Sequence, residues 1–236
     1  MRTLSTLSIA AAAALLAGCA SAPSAPPDPP GCPTAAETQE RVRLFAALQP
    51  IPNPPPTLSR EAAACGVRQF VAALSATQGP VVGYKAGLTN AAVQQRFGLT
   101  APLKGTLLRG MLLKDGAEVP AKFGARPFLE PDLVVEVGSS AIHDAKTPEQ
   151  VLPHLRAVIP FIELPDTLVA DPSKINAPTL VLINVGARLG VLGAPVPVRA
   201  DAAFADALRD MTVRTVDGTG KEIAAAKGSA ILGHPL

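Results

Sequence analysis

Tryptophan is absent and tyrosine occurs once, so aromatic residues make up only 3% of the 236-residue chain. That scarcity removes the stacking platforms on which nucleobases are commonly held. The net charge of +2 removes the strong basic footprint that nucleic-acid binding requires. Histidine and cysteine are limited to three residues each, which argues against a zinc site. The N-terminal apolar run from Ile9 to Leu16 is too short to span a bilayer as a stable helix. No internal repeat is visible. What is abundant is apolar side chain, 48% of residues, and proline, 25 residues, many of them near the N-terminus. A chain of this length and composition supports one sizeable domain or two small ones.

Residues 1–18 read as an export signal rather than as part of a fold. Arg2 supplies the positive n-region and Ile9 to Leu16 the apolar h-region. Leu16-Ala17-Gly18-Cys19 follows and resembles the lipobox of bacterial lipoproteins, in which the cysteine is diacylated and becomes the first mature residue. An ordinary secretory signal cleaved near Ala20 or Ala22 is the alternative. Ala20 after the cysteine favours the outer membrane, facing the periplasm. Residues 19–33 are rich in Pro, Ala and Ser and read as an extended tether. The domain proper is expected over residues 34–236. Cys32 and Cys65 suit either one disulfide in an oxidising compartment or two separate thiols.

Local signals mark the elements. Thr34 and Glu37 form a capping-box pattern for a helix to about Leu48, broken by the prolines at 50–56. Ser59 opens a second helix, with Ala63, Val67, Phe70, Val71 and Leu74 at helical spacing. Residues 81–87 read as a strand, and Asn90 caps a short helix to Phe97. Strands are expected over 106–113, 128–137 and 158–164, with a helix opened by Thr147-Pro148. Residues 177–190 suit either helix or buried strand. A hairpin is expected across Asp217-Gly218-Thr219-Gly220. The mixture indicates an α+β fold with helices first.

Within the apolar strand 128–137, Glu130 and Asp132 stand at i and i+2 and so project to one face. Glu163 stands in a similarly apolar run, Val158 to Leu164. Three carboxylates from two strands would make a hard oxygen site suited to Mg²⁺ or Mn²⁺. The same spacing also suits the solvated face of a half-exposed sheet.

Gly83-Tyr84-Lys85-Ala86-Gly87-Leu88-Thr89 with Val93-Gln94-Gln95-Arg96-Phe97-Gly98 resembles a motif of the fumarylacetoacetate hydrolase superfamily, in its 2-keto-4-pentenoate hydratase and oxalocrotonate decarboxylase branch. The acidic strand is similar to that branch's E-x-E segment, Glu163-Leu164-Pro165-Asp166 falls at its third acidic position, and residues 227–236 resemble its glycine-rich G-S…L-G-H-P-L segment. The resemblance implies a mixed β-roll following N-terminal helices. It implies a divalent metal, Mg²⁺ or Mn²⁺, held by Glu130, Asp132 and Glu163 and chelating a small-molecule 2-oxo acid. It implies Lys85 as the catalytic cation beside the developing enolate, where a surface lysine on an edge strand is the bland reading. It suggests Asn184, Ser229 and His234 as substrate-binding residues, although a lone histidine is more often structural. It also implies a homodimer.

The expected activity is therefore a metal-dependent hydratase, a lyase acting on a short 2-oxo or 2-hydroxydienoic acid such as 2-hydroxypenta-2,4-dienoate. A decarboxylase of the same branch and a non-catalytic envelope lipoprotein that keeps the fold are the alternatives. Four departures from the family pattern stand out. Asp132 replaces the usual Glu, and Pro131 separates the two acids. Asn184 lacks the acidic and hydroxyl neighbours usual around it. The sequence given stops at Leu236, where relatives continue with further strands, which leads us to expect a roll incomplete at its C-terminus.

Overall fold

The computed structural model describes residues 27–236. The expected signal peptide, most of the expected tether and Cys19 lie outside the described residues. Among the described residues, no helix is long and apolar enough to cross a membrane.

Two helices open the fold. In α1 (Ala35–Ala46), Thr34 and Glu37 form the expected capping box: the Glu37 carboxylate accepts from the Thr34 backbone N–H, and the Thr34 hydroxyl accepts from the Glu37 N–H. Ser59 caps α2 (Arg60–Gln78), which ends at Gly79, where φ is +79°. The prolines between them prevent one continuous helix, and Ile51 instead bridges to Val169. Cys32 and Cys65 are joined by a disulfide with Cα atoms 5.6 Å apart, so the end of the expected tether is fastened to α2. In the chain-entropy account, closing the 33-residue separation stabilises by about 4 kcal/mol.

Strands β1 (Val81–Gly87) and β2 (Leu103–Leu108) pair antiparallel, with α3 (Ala91–Arg96) between them. The main sheet has five strands: β3 (Leu112–Leu113), β4 (Glu130–Val137), β5 (Leu155–Leu164), β6 (Leu189–Leu192) and β7 (Val196–Pro197). Its order is β3-β6-β5-β4, with β7 also pairing β5. Only β3 and β6 run parallel, which makes the sheet mixed. The hairpin is present as β8 (Thr212–Val216) and β9 (Glu222–Lys227).

Several elements differ from expectation. The helix opened by Thr147 is a single turn, α4 (Pro148–Val151), because Pro153 interrupts it. The ambiguous stretch 177–190 divides into α5 (Ala177–Leu182), a left-handed turn and the start of β6. Helix α6 (Ala202–Asp210), capped by Asp201, was not anticipated. Its signal is modest: one cap and three buried residues, Phe204, Ala205 and Leu208.

Two apolar clusters hold these pieces together. One packs Phe45, Phe70 and Leu74 of α1 and α2 against Leu107, Leu108 and Ile183. The other packs Phe204 and Leu208 of α6 against Leu152 and Val158. Each such fully buried side chain contributes about 1.5–3 kcal/mol by leaving water. The cleft described next lies where β1 meets the β4–β5 ladder.

Candidate active site

Lys85 sits on β1 opposite Gly105 of β2. A Cβ at Gly105 would stand 2.7 Å from Lys85 Cγ and 2.9 Å from the Asn184 carbonyl oxygen, so glycine is what lets the lysine stem lie there. The Lys85 side chain is 11% exposed and its ammonium donates to Glu163 Oε1.

The three acids come from neighbouring strands. Glu130 on β4 is the direct register partner of Glu163 on β5, and Asp132 faces Phe161. Cross-strand partners share a face, as do i and i+2, so all three carboxylates belong to one side of the ladder. With Lys85, Thr89 and Ile231 they line a cleft of about 310 Å³. Burial pushes all three carboxyl groups above the ordinary range, and the Lys85 charge opposes that push in each case. Mutual repulsion with Asp132 and Glu130 adds to the rise at Glu163. Glu130 stands at the rim, exposed as a residue, yet its carboxyl is desolvated enough to shift.

Three carboxylates against one ammonium leave two negative charges uncompensated when all ionise. Such a set of hard oxygens in a partly dry cleft fits a divalent cation. The donors are not drawn together as a finished coordination sphere. Among the described residues, the one triad of potential ligand atoms within 4.8 Å of one another is Asp28, Cys32 and Cys65, whose cysteines are consumed by the disulfide. Glu163 instead faces Lys85, as expected of an acid with one nearby cation and two repelling neighbours.

The three residues expected as substrate contacts do not line this cleft. Asn184 is fully buried with both amide atoms committed to β2: Oδ1 accepts from Thr106 N–H at 2.7 Å and Nδ2 donates to Thr106 carbonyl at 2.8 Å. It stands in the left-handed run Asn184-Val185-Gly186, whose φ values are 55°, 52° and 69°. Val185 is strained at that φ but packs into the space left by Gly87. Asn184 is thus a clasp between that turn and β2. Ser229 is exposed and does not line the cleft. His234 turns to α6, with Nε2 3.0 Å from the Ala205 carbonyl and Nδ1 accepting from Leu236 N–H at 3.0 Å. The residue of the C-terminal segment that does reach the cleft is Ile231, because Leu232 N–H is pinned to the Thr89 carbonyl at 3.0 Å. Neither contact has a local sequence signal.

Comparisons with known proteins place this cleft in context. No family model matches the chain. A 2-keto-4-pentenoate hydratase of Paraburkholderia xenovorans is 28% identical over 159 residues, 66% of this chain and 56% of that protein. 2-keto-4-pentenoate hydratase 1 of Dechloromonas aromatica is 30% identical over 158 residues, 66% of this chain and 57% of that one. The matches therefore cover little more than half the length of these relatives. Among solved structures, 4-oxalocrotonate decarboxylase from Pseudomonas putida G7, complexed with magnesium and adipate, superposes with a TM-score of 0.71 at 22% identity, covering 85% of this chain and 75% of that one. The same enzyme complexed with calcium and acetate gives 0.67. The motif resemblance agrees with these similarities: relatives named 2-keto-4-pentenoate hydratases match in sequence, and a 4-oxalocrotonate decarboxylase matches in fold. The chain's α+β architecture is that of the oxalocrotonate decarboxylase fold.

Proposed function

We propose that the chain is a metal-dependent hydratase-type lyase for a short 2-oxo or 2-hydroxydienoic acid such as 2-hydroxypenta-2,4-dienoate. The observation that carries this reading is the charge imbalance of the cleft: three desolvated carboxylates, on two paired strands, against Lys85 alone. Glu130, Asp132 and Glu163 would hold Mg²⁺ or Mn²⁺. When bound, the ion would supply Lewis acidity to the oxygens of a 2-oxo acid. Hydratase relatives and a decarboxylase structure that holds magnesium and a dicarboxylate support the assignment.

The chain's own residues then have distinct tasks. The Lys85 ammonium, fixed by Glu163, presents positive charge where enolate charge develops. It also holds a proton that can pass to or from the substrate as the dienol ketonises, before water adds to the far carbon. Ile231 and Thr89 wall the cleft and limit the water reaching that carbon.

Two other readings each rest on a specific observation. Superposition on a decarboxylase favours loss of CO₂ from the same kind of chelated 2-oxo acid. The turning away of Asn184, Ser229 and His234 favours a fold that binds a small acid without turnover. Export with lipidation at Cys19 belongs to the proposal too, supported by the lipobox and by the Cys32–Cys65 disulfide, since disulfides persist in oxidising compartments.

Calorimetry with Mg²⁺ or Mn²⁺, with and without oxalate, tests the chelation site. Joint binding of metal and oxalate, lost in Glu163→Gln, is expected. A folded chain that binds neither would sink the proposal. Ultraviolet decay of 2-hydroxypenta-2,4-dienoate, set against CO₂ release from 4-oxalocrotonate, then separates hydratase, decarboxylase and inert binder.

A further inference from the structure

A second cavity of about 500 Å³ shares no lining residue with the acidic cleft. Its walls come from α1, the proline-rich loop after it and the end of α5, chiefly Leu44, Ile51, Pro54, Leu58 and Leu182. One cation stands in this apolar wall. Arg41 is 8% exposed, and its Nη1 is buried with no hydrogen-bond partner among the described residues. Its guanidinium lies 5.8 Å from the centre of the Phe70 ring, a contact that satisfies no N–H.

The acids nearby do not fill that gap. Glu37, one turn earlier, lends charge through space, but Oε2 already accepts from the Thr34 N–H at 2.7 Å and hydroxyl at 2.8 Å. Glu40 is held by Arg43 through two bonds of 2.7 Å. Burial lowers the Arg41 pKa, yet guanidinium stays protonated in proteins. A buried charge with unmade hydrogen bonds is costly, and a methionine of similar length would fill the site without that cost. Nη1 has no accessible surface, so an anionic acceptor in the cavity would meet the guanidinium through its other N–H groups and offset the charge from there.

We propose that this cavity binds an organic monocarboxylate with an apolar body, of the medium-chain fatty acid class. The carboxylate meets the Arg41 guanidinium, and the chain lies along Leu44, Ile51, Leu58 and Leu182. Glu37 and Glu40 also line the cavity and set its selectivity, since a second carboxylate on the ligand would meet them. The site is thereby distinguished from the acidic cleft, whose uncompensated charge calls for a cation.

Calorimetry of the full chain with sodium octanoate tests the site, with 1-octanol and the dicarboxylate suberate as comparators. Octanoate is expected to bind one per chain, with octanol and suberate at least tenfold weaker. Arg41→Met is expected to weaken octanoate at least tenfold while circular dichroism shows a native fold. Leu58→Trp, which fills the cavity and leaves Arg41 in place, is expected to abolish binding, and it decides the matter if Arg41→Met does not fold. Glu163→Gln is expected to leave octanoate binding unchanged. Absence of saturable octanoate binding by the folded chain, or binding that survives Leu58→Trp, overturns the proposal.

Discussion

Glu163 and Asp166 are three residues apart, 4% and 1% exposed, and each faces one cation, the half-buried Lys85 or the buried Arg188. Their surroundings are nevertheless opposite. Asp166 accepts from the backbone N–H groups of Ala125 at 2.9 Å, Arg126 at 2.8 Å and Leu168 at 2.9 Å, and Arg188 Nη1 stands at 3.4 Å. Arg188 in turn donates to the carbonyls of Phe123 and Phe45, and its guanidinium lies 4.1 Å from the Phe45 ring centre. Every strong partner in that network is supplied by the fold. Glu163 has Lys85 and, beyond it, two acids that repel it. Burial is shared and saturation is not. The saturated pair is a structural anchor joining β6 and the Pro165 turn to α1, while the unsaturated one carries the uncompensated charge on which the proposed cation site rests.

The largest expected effect is at the anchor. Asp166→Ala strands Arg188 and three backbone N–H groups, and should destabilise by about 3–5 kcal/mol in urea unfolding. A loss below about 1 kcal/mol would mean that the two pairs are not different in kind. Next is Lys85→Met, which should lower the rate on 2-hydroxypenta-2,4-dienoate by about 10²-fold or more with the fold retained. Glu163→Gln should abolish metal binding yet leave stability within about 1 kcal/mol of the parent, because it also removes a repelled charge. Stability that falls as far as in Asp166→Ala would place Glu163 among the anchors.

A smaller effect concerns pH. Glu130, Asp132 and Glu163 have carboxyl groups raised in the folded state. Their protonated forms favour folding, so that contribution is fully present below the unfolded carboxylate value and is lost as pH rises through the folded values. The metal-free melting temperature should therefore drop as pH rises above the ordinary carboxylate range, and Mg²⁺ should recover it at the upper end. A flat profile that Mg²⁺ leaves unchanged would count against the charge imbalance. The smallest effect is at Glu37, whose carboxyl is lowered by its bonds to Thr34. The sign reverses there: the contribution is present above the unfolded value and lost as pH falls through the folded one. Glu37→Gln keeps the hydrogen-bonding shape, so thermal melts at pH 7 should move by less than about 0.5 kcal/mol, given solvent screening.

Local chemistry made much of this legible beforehand. The Thr34–Glu37 box, the Ser59 and Asn90 caps, and the 217–220 turn depend on neighbours within a few residues, and each appears where its residues stand. The one-sided spacing of Glu130 and Asp132 is a property of any strand, so their shared face was readable too. Helix α6 was missed because a nine-residue helix with one cap owes its stability to packing on Leu152 and Val158.

Sequence alone determined the starts of α1 to α4, the acidic pair and the motif resemblance, because these depend on adjacent or evenly spaced residues. Tertiary structure decided which charges meet. Glu130 opposite Glu163 depends on strand register, and Lys85 reaches Glu163 because Gly105 leaves room. Asn184 was turned to β2 by a left-handed turn, and His234 to α6 by packing. Neither Arg41 nor Arg188 carries a local sequence signal for its surroundings. Only the fold completes the bonds of one and leaves a buried nitrogen of the other without a partner among the described residues, because hydrogen-bond saturation depends on groups distant along the chain.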